Sequence, residues 1–172
     1  MNIRRADYGD IEGLERLLLQ VLTVHHNGRP DLFKENCRKY NRDELKSLLC
    51  DDSRPVFAAF DDSGYMLGYA FCIIKQLLND NVMTDIKTLY IDDLCVDETA
   101  RGKHIGKALY DYCVDFARQI GCYNLTLNVW ECNGGRKAVL RKNGTVAVQN
   151  IYGKIAVNFL CSSSIDKLCD FD

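Results

Sequence analysis

Residues 100–109 read ARGKHIGKAL. Two glycines and three basic residues, Arg101, Lys103 and Lys107, stand directly before a long amphipathic stretch. Glycine bares backbone N–H groups, and a helix that begins here points the positive end of its dipole outward. Such a turn has the chemistry of a phosphate or pyrophosphate cradle. The alternative is a basic helix start that holds no ligand.

The flanks define what the turn connects. Leu89–Val96 has the composition of a strand. After the turn, Ile105, Ala108, Leu109, Tyr112, Cys113, Phe116 and Ile120 recur at helical spacing, and Gly121 stops that helix as a C-terminal cap does. Tyr123–Val129 alternates apolar and polar side chains and is predicted to be the next strand. Upstream, Ile3–Ala6 is a short strand candidate, and Asp7 or Asp10 is placed to cap a helix carrying Ile11, Leu14, Leu17, Leu18 and Leu22 on one face. The segment HHNGRPDLF (25–33) carries Asn-Gly and Arg-Pro and is expected to be a loop, with a second short helix over Asp43–Leu49. In PVFAAFDDSGYMLGYAFCII (55–74) two strand-like runs flank the hairpin signal Asp61-Asp62-Ser63-Gly64. This order of elements predicts a sheet flanked by helices, part antiparallel and part parallel.

Composition narrows the function classes. The 172 residues suit one domain, here expected over residues 1–160 with a tail over 161–172. A formal net charge of −2 argues against nucleic acid as a partner. No apolar run reaches the roughly 20 residues needed to cross a bilayer, and the N-terminus turns acidic too early for a secretory signal. The 9 cysteines include no C-x-x-C pair, so free thiols in a reducing cytoplasm are expected, with neither a disulfide framework nor a metal site.

The glycine turn fails two nucleotide signatures. A P-loop needs one more residue between its glycines and a hydroxyl where Ala108 stands, and the dinucleotide spacing G-x-G-x-x-G is absent. Arg101 through Gly106 does resemble the phosphate loop [QR]-x-x-G-x-[GA] of the GNAT superfamily of N-acetyltransferases, with His104 at the first glycine position. The preceding Leu-Cys-Val-Asp-Glu (94–98) and the later LTLNVWECN (125–133) extend the resemblance, which covers residues 1 to about 133 in the manner of a small bacterial-type domain. It implies an α/β (α+β) GNAT fold, with a mixed, mostly antiparallel sheet of six to seven strands. About four helices are expected to flank it, and the fourth and fifth strands to splay apart.

It further implies that acetyl-CoA lies in that gap as cosubstrate, beside an amine acceptor, in a monomer or homodimer. The pantetheine arm is then expected along the backbone of Leu94, Cys95 and Val96. The pyrophosphate is expected on the loop, Arg101, Gly102, Lys103, His104, Ile105, Gly106 and Lys107, with Asn133 at the exit of the next strand. At His104 helical or bridge backbone angles are expected.

Acetyl transfer to an amine needs a base for the ammonium, a donor for the carbonyl oxygen and a proton for the leaving thiolate. Backbone N–H groups near Cys95 or Val96 are candidates for the donor. Asp92 and Asp93 are candidates for the base; on a regular strand they project to opposite faces, and each has an alternative role as a solvated or structural carboxylate. Asp80, Asp85, Asp92, Asp93, Asp97 and Glu98 suit a cationic acceptor or form an ordinary solvated surface, and the 25–33 segment is expected to roof the acceptor site. The C-terminal third departs from the family: relatives carry a tyrosine acid in a fourth helix, whereas NGGRKAVLRKNG (133–144) has Leu140 there. Tyr152 or Cys132 are the candidate substitutes. Two readings follow, an N-acetyltransferase acting by direct attack, or a non-catalytic acyl-CoA-binding module.

Overall fold

The computed structural model describes residues 1–130 and 152–158. Its elements are β1 (Asn2–Arg5), α1 (Ile11–Gly28), α2 (Arg42–Leu49), β2 (Val56–Phe60), β3 (Met66–Gln76), β4 (Lys87–Val96), α3 (Ile105–Gln119), β5 (Asn124–Trp130) and β6 (Tyr152–Asn158). The six described strands form one sheet in sequence order. Every neighbouring pair is antiparallel except β4 and β5, which run parallel with α3 as their crossover. The splayed, mostly antiparallel GNAT architecture expected from the sequence is therefore present. The expected fourth helix falls on residues outside those described, as does the 161–172 tail.

Side-chain parity distributes the core over both faces of the sheet. On β2, Val56, Ala58 and Phe60 meet Leu14, Leu17 and Leu18 of α1 and Leu45 and Leu48 of α2, whereas Phe57 packs under Tyr110, Cys113 and Val114 of α3. On β3, Tyr69 and Phe71 face α1 and α2, and Ala70 and Cys72 face α3. A strand covered on both sides reads as a continuous apolar run, which is what VFAAF is.

Local chemistry sets the helix ends. Asp7 caps the 3-10 turn Tyr8–Asp10 that leads into α1, in a reciprocal arrangement with the Asp10 side chain. Asn41 caps α2 in the same way with Glu44. One expectation needs correction: residues 25–28 are not loop, because α1 runs on to Gly28 and the Arg29 N–H closes it on the His25 carbonyl at 2.9 Å. Gly28 is the last helical residue and Arg29 its cap, so Asn27-Gly28 lies within the helix and not in a turn. Gly121, at φ +71°, ends α3 as expected. No described helix is long and apolar enough to cross a membrane.

Candidate active site

The site is built where β4 changes partners. Parallel pairing with β5 runs from Thr88↔Asn124 to Ile91↔Leu127 and stops there. Beyond Ile91, β4 is paired among the described residues only with β3, through Asp93↔Phe71 to Val96↔Gly68. Gly68 permits that close pairing, since a Cβ there would stand 2.7 Å from the Cys95 carbonyl oxygen. Among the described residues, the β5-side edge of residues 92–96 thus faces a gap and not a strand.

A bulge sits at the mouth of this gap. Cys72 pairs with Ile91 and Phe71 with Asp93, so Asp92 is an inserted residue. Parity flips across it: Leu89 and Ile91 face α3 before the bulge, and Leu94 and Val96 do so after it. Asp92 and Asp93 therefore turn to the same side, toward α1 and α2, and not to opposite faces as an unbroken alternation predicts. Lys39, in the segment between α1 and α2, meets both carboxylates, with Nζ 2.9 Å from Asp92 Oδ2 and 3.9 Å from Asp93 Oδ2. The Tyr69 hydroxyl donates to Asp93 Oδ2 at 3.0 Å.

These contacts set the protonation chemistry. The Asp93 side chain is 13% exposed. Loss of water raises its pKa, and Lys39, the Tyr69 hydroxyl and His25 only partly oppose that rise. Lys39 is pulled the other way: desolvation disfavours its charge, but Asp93 and Asp92 outweigh it and raise its pKa. Burial lowers His25 against the attraction of Asp93. Cys95, whose thiol is pushed up to about 12 chiefly by burial, points to the Leu17 carbonyl and is no nucleophile.

Downstream, β4 ends in a brace. Asp97 caps the turn Glu98–Ala100, accepting from the Thr99 N–H at 2.9 Å and the Thr99 hydroxyl at 2.7 Å. Arg16 of α1 pairs with the same carboxylate and also donates to the Met66 carbonyl at 2.6 Å. From this anchored turn the chain passes through exposed Arg101, Gly102, Lys103 and His104 into α3. Gly102 takes φ +76°, and His104 takes φ +57° and ψ +22°. The helical or bridge angles expected for His104 are therefore wrong. The chain needs a left-handed residue to enter α3, and histidine is among the non-glycine residues that tolerate it. The first turn of α3 carries no acidic residue, so no carboxylate of that turn competes for its N–H groups or the positive end of its dipole.

The acetyltransferase (GNAT) family model matches residues 21–145, a span that includes both the parted strands and the basic loop. The chain belongs to the GNAT family. Among solved structures it resembles the BH1408 protein of Bacillus halodurans, solved as a tetramutant, at 27% identity and a TM-score of 0.78, over 87% of this chain and 96% of that one. It shares its fold with the PaiA N-acetyltransferase of Thermoplasma acidophilum in complex with coenzyme A, at 16% identity and a TM-score of 0.70, over 92% and 98% of the two chains. It also shares it with an aminoglycoside acetyltransferase from an uncultured soil metagenomic sample, at 18% identity and a TM-score of 0.66, over 87% and 91%. No curated protein matches the chain in sequence.

In this GNAT chain the sequence-predicted residues fall into two groups. Leu94, Cys95 and Val96 lie on the unpaired edge of β4, and Arg101–Lys107 form the turn into α3. Asp92 and Asp93 meet at the bulge. Asn133, Leu140 and Cys132 lie outside the described residues, and Tyr152 is described only as the first residue of β6. Lys39, Tyr69 and Arg16 carry no sequence signal, because each reaches its partner across 24 residues or more. No group of His, Cys, Asp or Glu able to hold a metal occurs among the described residues.

Proposed function

We propose that this chain is an acetyl-CoA-dependent N-acetyltransferase acting on a primary amine of a small molecule or peptide by direct attack. One observation carries the reading: β4 leaves β5 at Ile91, so its free edge runs from the paired carboxylates to a basic helix start. That layout fits a long, phosphate-bearing thioester. Bound acetyl-CoA supplies an activated acyl group at the bulge. The edge of Leu94–Val96 offers the pantetheine amides main-chain partners. The Gly102–Lys107 amides, with Arg101 and Lys103, offer donors to a pyrophosphate.

Asp93, with Asp92 beside it, holds the proton leaving the acceptor. Its raised pKa makes it a stronger base than an ordinary carboxylate, which favours proton transfer from an ammonium. Tyr69 keeps the Asp93 carboxylate oriented. A β4 main-chain N–H near Cys95 or Val96 serves the carbonyl oxygen. A thiol has a pKa near about 8.5, so a thiolate departs even where no tyrosine stands ready, as with Leu140.

A thiol-release assay with acetyl-CoA and a panel of primary amines tests this. Release of CoA dependent on amine and on Asp93 is expected. Absence of release with every amine, while acetyl-CoA still raises the melting temperature, would replace the reading by the non-catalytic acyl-CoA-binding module.

A further inference from the structure

Lys39 is a charged side chain at the bulge that the proposed transfer does not employ, and its position is built. The neighbouring Tyr40 ring stacks on Phe71 at 5.6 Å, and its hydroxyl accepts from Arg54 at 3.1 Å. The next residue, Asn41, is fixed by its bonds to the Asp43 and Glu44 N–H groups at 3.0 and 2.9 Å. With the main chain held at these two points, the Lys39 side chain leaves toward β4 and ends between Asp92 and Asp93. Its side chain is 31% exposed, so the amine is partly withdrawn from water yet still reachable from it. A primary amine thus stands against the two carboxylates expected to deprotonate an acceptor, beside the free edge of β4.

We infer that Lys39 is itself an acceptor, and that the chain acetylates its own Lys39 Nζ. The inference rests on the proposed acetyl-CoA-dependent activity. The Lys39 ammonium gives one proton to the Asp92/Asp93 carboxylates and its nitrogen attacks the thioester carbonyl carbon. The N–C bond forms and the C–S bond breaks, and the second nitrogen proton ends on the departing sulfur. The products are an amide on Lys39, a free thiol and one proton returned to solvent from the carboxylate. The amide carries no charge, so the ion pairs with Asp92 and Asp93 are lost and those carboxylates become available to an external amine. Self-acetylation thereby clears the mouth of the site.

The test uses the full chain incubated with acetyl-CoA, followed by peptide mass spectrometry. Lys34, in the same inter-helix segment, and Lys46, on α2, are both exposed and report ordinary chemical acetylation. The expected result is one acetyl group on Lys39, formed at least about tenfold faster than on Lys34 or Lys46. The rate constant should not depend on protein concentration, because the step is intramolecular. Asp92→Asn/Asp93→Asn should abolish the Lys39 label and leave the Lys34 and Lys46 labels unchanged. A second measurement needs no acetyl-CoA. With a succinimidyl ester, Lys39 should react several-fold more slowly than Lys34 in the wild type, because its ion pairs hold the proton, and at a similar rate in the double variant.

Lys39 labelled no faster than Lys34 and Lys46 by acetyl-CoA, while added amines still release thiol, overturns the inference and leaves the proposed activity standing. Equal reactivity of Lys39 and Lys34 toward the ester in the wild type also overturns it, since the amine is then not seated on the carboxylates. If neither thiol release nor an acetyl-CoA melting shift occurs, the proposed activity fails and the inference with it.

Discussion

Replacing Asp97 by asparagine tests the brace that aims the basic loop. Burial alone would raise this carboxyl, but the Thr99 and Arg16 hydrogen bonds outweigh it and hold the pKa at about 2, against an ordinary 3.8. The side chain is 1% exposed, so solvent screens the interaction little. A depression of nearly two units corresponds to about 2.5 kcal/mol of folding free energy. Asparagine keeps an acceptor for Thr99 but gives Arg16 no charge, so a loss of up to about 2.5 kcal/mol is expected at neutral pH. For a chain of this size that lowers Tm by up to about 10 °C. The folded pKa lies below the unfolded one, so the wild-type advantage is complete above the unfolded value and is lost as pH falls toward the folded value. Urea unfolding of both proteins should therefore show a gap that closes between about pH 5 and about pH 2. Acetyl-CoA affinity should fall as well, because Asp97 caps the turn from which the loop departs. A stability gap that stays constant from neutral to acid pH, or an asparagine variant as stable as the wild type, would refute the reasoning.

Four further outcomes are expected. His104→Gly should raise stability by about 0.5–1 kcal/mol in urea unfolding, as relief at a left-handed φ of +57° exceeds the added freedom of the unfolded chain. Gly106→Val should abolish the acetyl-CoA melting shift, worth about 2.7 kcal/mol at one hundred times Kd, while the protein remains folded by circular dichroism. Tyr69→Phe removes a hydrogen bond that favours the charged form of Asp93, so the acid limb of the kcat/KM profile should move to higher pH. Leu140→Tyr should raise kcat with little change in KM, since a phenolic donor acts on charge that develops only in the transition state.

Sequence alone determined the parts of this protein governed by neighbours along the chain. The Gly102–Gly106 turn, the apolar face of α3, its stop at Gly121 and the hairpin at Asp61–Gly64 each depend on a few consecutive residues, so their residue types sufficed to place the loop and its helix. The family resemblance then carried the parting of β4 from β5. Tertiary structure decided the rest. The alternation rule sends Asp92 and Asp93 to opposite faces, and only the register of β3 against β4 revealed the inserted residue that turns both toward Lys39. The link from Arg16 to Asp97 spans 81 positions and that from Lys39 to Asp92 spans 53, separations over which local pattern holds no information. His104 likewise reads as a surface basic residue until the path from the braced turn into α3 imposes a left-handed backbone on it. The proposed cradle is local because its donors are consecutive main-chain groups, whereas the carboxylate–lysine cluster is tertiary because its side chains converge from α1, β3, β4 and the segment before α2.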